Sequence, residues 1–406
     1  MFTRDSIVAV RPFTRQREGE DVVIGSLEAG VFLAVPPEAV ELLDQLAAGR
    51  SVGEVSDLYY QATGETPDLE DLLNLLETKG LVGPNNGNAG GKENRRPVSE
   101  PKYHFSSFPQ SLARRLFSRS VLSCQAALAV LALAVILRDH ALMPVPMDLF
   151  FSDRRAFAWT ILTVITYAGI FLHELAHLVA TRAVGVNSRM GISHRLWYLV
   201  AETDLTGLWS VPRTQRYLPM LAGMIVDVTF TSLLVLLLFA EQQRLFLLSP
   251  FAVHLLRALA FSNLMRILWE FFLFTRTDLY FVAATFLNCK NLLTDTSVFL
   301  RNQVARVIKL VRPVDQSSIP PSEQRAICAY ASLFLAGRAW AFVTLFWVTI
   351  PVTVSYWGSL VGAFRAGYSQ NPSNFLDALV VSLYFLVPTV AGFVFWAGSF
   401  ARPKGI

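Results

Sequence analysis

The pattern of apolar and polar positions divides the chain into three stretches. From the start to about residue 83, apolar residues alternate near Val22 to Phe32, a period that predicts strand. After Pro36-Pro37 they return every three or four residues near Glu38 to Leu46, Val52 to Gln61 and Leu69 to Lys79, which predicts three short helices. Ser51 and Asp68 are placed to cap two of these helices, and Gly80 to close the third. Strand pattern followed by helices at this size predicts a small α+β, winged-helix-like domain over residues 1–83. The next stretch, 84–110, holds Asn-Asn-Gly-Asn-Ala-Gly-Gly and is too poor in apolar residues to order itself, so it predicts a flexible linker.

From residue 111 to 406 the apolar runs lengthen. Six are long enough to cross a bilayer: Val121 to Leu137, Ala156 to Ala180, Tyr217 to Ala240, Ala258 to Phe274, Ala339 to Tyr356, and Leu376 to Phe400. Between the second and third, Val186 to Ile192 and Leu196 to Val200 predict a short hairpin, whose edge would suit an extended peptide.

Composition agrees with an α-helical polytopic membrane protein of about six transmembrane helices. The chain is 53% hydrophobic and only 16% charged, with a mean hydropathy of +0.42, which is too apolar for a soluble protein of this length. Its formal charge of +4 does not signal nucleic acid, because the cations sit at the ends of apolar runs, where they act as topology signals. Arg114, Arg115 and Arg119 precede the first run. Arg182, Arg189, Arg195, Arg213 and Arg216 fill one expected inner loop, and Arg276, Lys290, Arg301, Arg306, Lys309, Arg312 and Arg325 the next. The outer loops are poorer in positive charge, so the expectation is a multi-pass protein of the cell membrane with both termini cytoplasmic. Cys124, Cys289 and Cys328 are far apart and lack metal-ligand spacing, as expected of free thiols.

Within the second run stands His173-Glu174-Leu175-Ala176-His177. Residues four apart share a helix face, where two neutral imidazoles can hold one metal ion. The glutamate between them is positioned as a general base for water. With 6 His in the chain, composition alone produces this pattern in roughly one such chain in 300. Three ionisable side chains at membrane depth are costly unless they pair or bind something.

A catalytic zinc takes a third protein ligand, and depth sorts the candidates. Counting 1.5 Å per residue from Ala156 puts His173 about 25 Å and His177 about 31 Å down, near the inner edge of the hydrocarbon. A fourth span descending from Ala258 brings Asp278 to about 30 Å, the matching level, whereas Asp227 lies about 15 Å above the inner end of the third span. His254 is near the outer face. Asp278 is therefore the favoured ligand and Asp227 the alternative, or a residue that tunes the site from behind its ligands. Arg266 and Glu270, four apart, are spaced to pair with each other.

Together these residues resemble the site-2-protease family of intramembrane zinc metallopeptidases, in its putative peptide zinc metalloprotease branch, over about Ala156 to Leu293. The resemblance rests on His173-Glu174-Leu175-Ala176-His177, on Thr203-Asp204 before Arg213 to Arg216, on Leu221-Ala222-Gly223, and on Thr275 to Tyr280 ahead of Asn291-Leu292. It implies Zn2+ held by His173, His177 and Asp278, with Glu174 as base. The family's Asp-Gly appears here as Asp278-Leu279, its preceding Asn and Pro as Glu270 and Leu273, and the Asn of its third span as Asp227. The first 80 residues resemble the PqqD-like domain, which recognises leader segments of precursor peptides, with the best local match at Leu27 to Phe32 through Leu81-Val82.

These readings predict a zinc endopeptidase that works near the cytoplasmic side of the membrane and removes the leader of a ribosomally made precursor peptide. Two other roles fit the sequence: a peptide export or immunity component with a structural metal, and regulated cleavage of a membrane-anchored signalling protein. The expected partners are peptide or membrane-anchored substrate and lipid bilayer, with no nucleic acid.

Overall fold

The computed structural model describes residues 2–26, 30–84, 107–152, 154–195, 198–289, 291–308, 312–317 and 319–401, the side chains of 192–201, 388 and 395–401 aside. The 27–29 part of the PqqD-like match, most of the expected linker (85–106) and the 196–197 turn of the expected hairpin lie outside the described residues. The chain divides into two compact units.

The first unit gathers 1–108 with two inserts, 184–189 and 204–216, which a division at residues 83 and 110 does not anticipate. In chain order it holds β1 (Val8–Val10), β2 (Thr14–Glu18), β3 (Asp21–Ser26), β4 (Val31–Val35), α1 (Pro37–Ala47), α2 (Val52–Thr63), α3 (Leu69–Thr78) and β5 (Val82–Pro84). β2, β3 and β4 form an antiparallel sheet in that order, and β1 pairs with β5. The alternating stretch near Val22 to Phe32 is thus two strands, with Gly30 at a φ of +62° on the way into the second. β2 escapes a hydropathy reading because its sequence, Thr-Arg-Gln-Arg-Glu, is polar throughout, as suits an outer strand.

The helices start where the chain supplies caps. Ser51 Oγ accepts from the Glu54 amide at 3.2 Å while Glu54 Oε2 accepts from the Ser51 amide at 2.9 Å, a reciprocal capping box. Asp68 caps α3 through the Asp71 amide, 3.3 Å. The inward faces of α1 and α3 then bury Leu43, Leu46, Leu73 and Leu76 against Val8, Ile24 and Val55. Each such side chain contributes about 1.5–3 kcal/mol on burial.

The second unit is helical apart from one hairpin. It holds α4 (Gln110–Leu116), α5 (Arg119–Arg138), α6 (Arg155–Ala183), β6 (Met190–Arg195), β7 (Tyr198–Thr203), α7 (Arg213–Gln242, its first four residues counted with the first unit), α8 (Pro250–Trp269), α9 (Asp278–Leu287), α10 (Leu292–Val307), α11 (Pro321–Thr344), α12 (Ile350–Ala366) and α13 (Pro372–Ala401). Among the described residues, six helical stretches are long and apolar enough to cross a membrane: Gln110–Arg138, Arg155–Ala183, Arg213–Gln242, Pro250–Trp269, Pro321–Ala366 and Pro372–Val394.

Three boundaries differ from the sequence expectation. The fourth span starts at Pro250, capped by Ser249, and ends at Trp269, so Phe271 to Phe274 belongs to a turn despite its apolar letters. The fifth is a 46-residue helix in which a π-helical turn, Leu345–Thr349, joins α11 to α12. The hairpin begins at Met190 rather than Val186, because the Asp204 amide donates to the Arg189 carbonyl (2.8 Å) and Arg189 Nε to Asp204 Oδ2 (3.0 Å), closing its base there.

Candidate metal centre

α6 is mostly half-buried along its first half and buried at its far end, where His173, Ala176, His177, Leu178, Val179 and Ala180 are covered. Small residues allow that closeness. Ala176 and Ala180 pack on Ala222 of α7, as small side chains let apolar helices approach. Gly223 goes further: a methyl group built there would overlap both imidazoles.

Asp278 reaches the same point by another route. After α8 ends, Glu270 to Thr277 turns the chain back, and Asp278 opens α9 under a cap from Thr277, whose Oγ accepts the Tyr280 amide at 3.4 Å. The turn is pinned from behind, because Glu270 Oε2 accepts the Asp278 amide at 2.8 Å and the Thr277 hydroxyl donates to the Glu270 carbonyl at 2.9 Å. Glu270 is 6% exposed, so its carboxylate is a built part of this corner.

Three donor atoms converge. His173 Nε2 and His177 Nε2 lie 3.1 Å apart, and Asp278 Oδ2 is 3.2 Å from the first and 2.9 Å from the second. Ligands about 2.1 Å from one tetrahedral ion stand about 3.4 Å apart, close to this triangle. The opposite ring nitrogens are already engaged: His173 Nδ1 meets Asp227 Oδ2 at 2.8 Å, and His177 Nδ1 meets the Pro219 carbonyl at 2.7 Å. Two acceptors behind the rings fix the proton on each Nδ1 and aim both Nε2 lone pairs at the shared point. His173, His177 and Asp278 could hold a metal ion.

Asp227 is therefore on the far side of His173 and does not share the ligand point. Its carboxylate is also held by Arg266, whose Nε donates at 2.9 Å and whose terminal nitrogen pairs with Oδ1. Asn263 donates to the Asp227 carbonyl at 2.7 Å and accepts from Arg266 at 2.5 Å. A buried carboxylate needs such partners. Arg266 thus serves Asp227 and Glu270 serves Asp278, instead of the pairing with each other that their spacing suggests.

Glu174, next to the first histidine, is half-buried. Thr203, the last residue of β7, donates its hydroxyl to Glu174 Oε2 at 2.7 Å, which orients the carboxylate. The roles of Gly223, Arg266 and Glu270 were missed from sequence. The Leu221-Ala222-Gly223 motif was the one signal for Gly223, since a glycine in a buried helix marks close approach. No protein-family model, curated protein or solved structure matches this chain.

Proposed function

We propose that the chain is a polytopic zinc endopeptidase that hydrolyses a peptide bond near the cytoplasmic side of the cell membrane. Its substrate, on this reading, is a ribosomally made precursor peptide from which a leader is removed. The observation that carries the reading is the convergence of His173 Nε2, His177 Nε2 and Asp278 Oδ2, with Glu174 directly after the first of them. Six apolar helices and the resemblance of the motif residues to site-2-protease-like enzymes support the setting.

A zinc ion held by those three side chains would supply a Lewis acid for the scissile carbonyl and lower the pKa of water. Glu174 takes the proton of the attacking water and passes it to the leaving amine. Thr203 keeps that carboxylate aimed, and the surrounding helices limit competing water. The arginine-rich loops favour both termini on the cytoplasmic side.

The first unit would bind the leader. β2 and β4 are the outer strands of its sheet, and an extended peptide can add to such an edge while tethering raises its local concentration.

The test compares peptides from cells making the wild-type protein with those from cells making Glu174→Gln at matched expression, by mass spectrometry. Loss of a processed peptide with build-up of a longer form supports hydrolysis. Matching profiles with zinc retained would overturn it in favour of peptide export or immunity.

A further inference from the structure

The cavity outward of the metal centre, among α6, α8 and α12, has a volume of about 360 Å³. Trp159, Thr163 and Thr166 line it from α6, Ser262 and Met265 from α8, and Thr353 from α12. Thr166 precedes His173 by seven residues and Thr163 precedes Glu174 by eleven, so all four lie on one helical stripe. Thr166 is thus about 10 Å along the axis from His173, a distance an extended chain covers in about three residues. On the other wall, Met265 directly precedes Arg266, which passes beside Gly169 to reach Asp227.

Four of the five Ser and Thr hydroxyls lining this cavity behave differently from others nearby; the fifth, Thr349, donates to the Thr344 carbonyl at 3.4 Å. Thr160 and Thr181 of α6 donate to preceding carbonyls at 2.7 and 3.0 Å, and Ser232 of α7 does likewise at 2.7 Å. Thr163, Thr166, Ser262 and Thr353 make no hydrogen bond to any described residue. Leu162, Phe261 and Val352 supply apolar wall between them. Tyr167, also on the wall, is 61% exposed, which leaves the cavity an open side.

Free hydroxyls amid apolar wall fit one occupant best. A helix crossing the membrane satisfies its own backbone, and a lipid tail has no groups to pair. An unwound peptide at membrane depth has amides that must find partners in the protein. We infer that this cavity is the subsite for an apolar, extended segment of the substrate, seating a side chain about three residues outward of the bond cleaved, with its backbone bonded to the threonines. The inference rests on the protease reading and adds what that reading does not contain, a preference for a large apolar residue at that place.

The experiment uses the full-length, zinc-loaded protein in lipid bicelles and a synthetic single-span peptide of Leu and Ala carrying a helix-breaking Asn-Gly pair. Benzoylphenylalanine is placed at Thr166 or Thr353, and at the membrane-facing Val164 as reference, in a Glu174→Gln background. Peptide adducts strong at 166 and 353 and weak at 164 are expected. Thr166→Val, which keeps the volume and removes the hydroxyl, should raise KM about fivefold, the worth of one hydrogen bond, with kcat and zinc content unchanged.

Lipid adducts at 166 and 353, or no peptide adduct above the reference, would overturn the subsite even if the wild-type protein cleaves the peptide. Peptide adducts at both positions without cleavage by the wild-type protein would keep the subsite and sink the protease reading.

Discussion

Among the described residues of the second unit are two groups of three side chains that look alike on paper and differ in construction. His173, His177 and Asp278 bring their donor atoms together from α6 and the start of α9; Cys289, Asp295 and Glu323 do so from the α9–α10 turn, α10 and α11. In the first, each ligand is held from behind: by Asp227, by the Pro219 carbonyl, and by the Glu270 grip on the Asp278 amide. In the second, the members hold each other. Burial, helped by Glu323, pushes the Cys289 thiol up to about 12, and the protonated sulfur donates to Glu323 Oε2 at 3.4 Å. Burial and the same Glu323 also raise Asp295. A thiol that keeps its proton is a poor metal ligand. On the proposed reading, what separates a candidate metal centre from a knot of polar residues is the layer that orients the donors.

That contrast can be broken by experiment. Asp278→Ala or His177→Ala should reduce bound zinc from about one per chain to background and abolish cleavage, whereas Cys289→Ala should leave zinc untouched, as read by elemental analysis of purified protein. Equal losses from both groups would erase the distinction.

Gly223→Ala should come next, because the added methyl overlaps both rings. Its zinc affinity is expected to fall about 100-fold, comparable to loss of a strong supporting contact. Asp227→Asn leaves the volume but removes the charge facing His173 and strands Arg266. Zinc affinity should drop about 10–100-fold and thermal stability should fall, since breaking a buried pair costs about 3–5 kcal/mol. A double change, Asp227→Leu with Arg266→Leu, should recover the stability and leave the affinity low, which separates the two effects.

The smallest effect belongs to the cysteine. At neutral pH its alkylation, followed by mass spectrometry, should be slow, and should accelerate only in strongly alkaline solution as the thiol approaches ionisation near 12. Rapid labelling at neutral pH would mean that Cys289 is a thiolate and the second group a ligand set after all.

The part of this architecture legible in the sequence is the part carried by local spacing. His173 and His177 declare themselves four apart, the caps of α2 and α3 are single residues in the right places, and apolar runs mark the long helices. Asp278 was reachable by counting depth along an assumed straight span and through the family resemblance, and by no local spacing. The chain in fact leaves α8 at Trp269 and turns, yet returns Asp278 to the same histidines. The supporting layer was not legible. Arg266 stands four from Glu270, which suggests a local pair, while its actual partner is on another helix 39 residues earlier. Nothing along the chain announces such a contact. Thr14 to Glu18 shows the opposite failure, where an outer strand needs no apolar alternation and so leaves no period to read.

The π-helical turn at Leu345–Thr349 sets how α12 is rotated about its own axis. One residue in a helix amounts to about 100° of turn and 1.5 Å of rise. An i→i+5 turn absorbs one extra residue, so deleting a residue within it would leave Tyr356 and Thr353 facing as they do, whereas deleting one from an ordinary turn of α11 would swing both by that angle. Tyr356 would then lose the Leu149 carbonyl it reaches at 3.0 Å, and Thr353 would point elsewhere than the cavity. The 46-residue helix is therefore keyed like a shaft with slack at one place, and a change of length anywhere else, with no change of chemistry, would move one wall of the chamber.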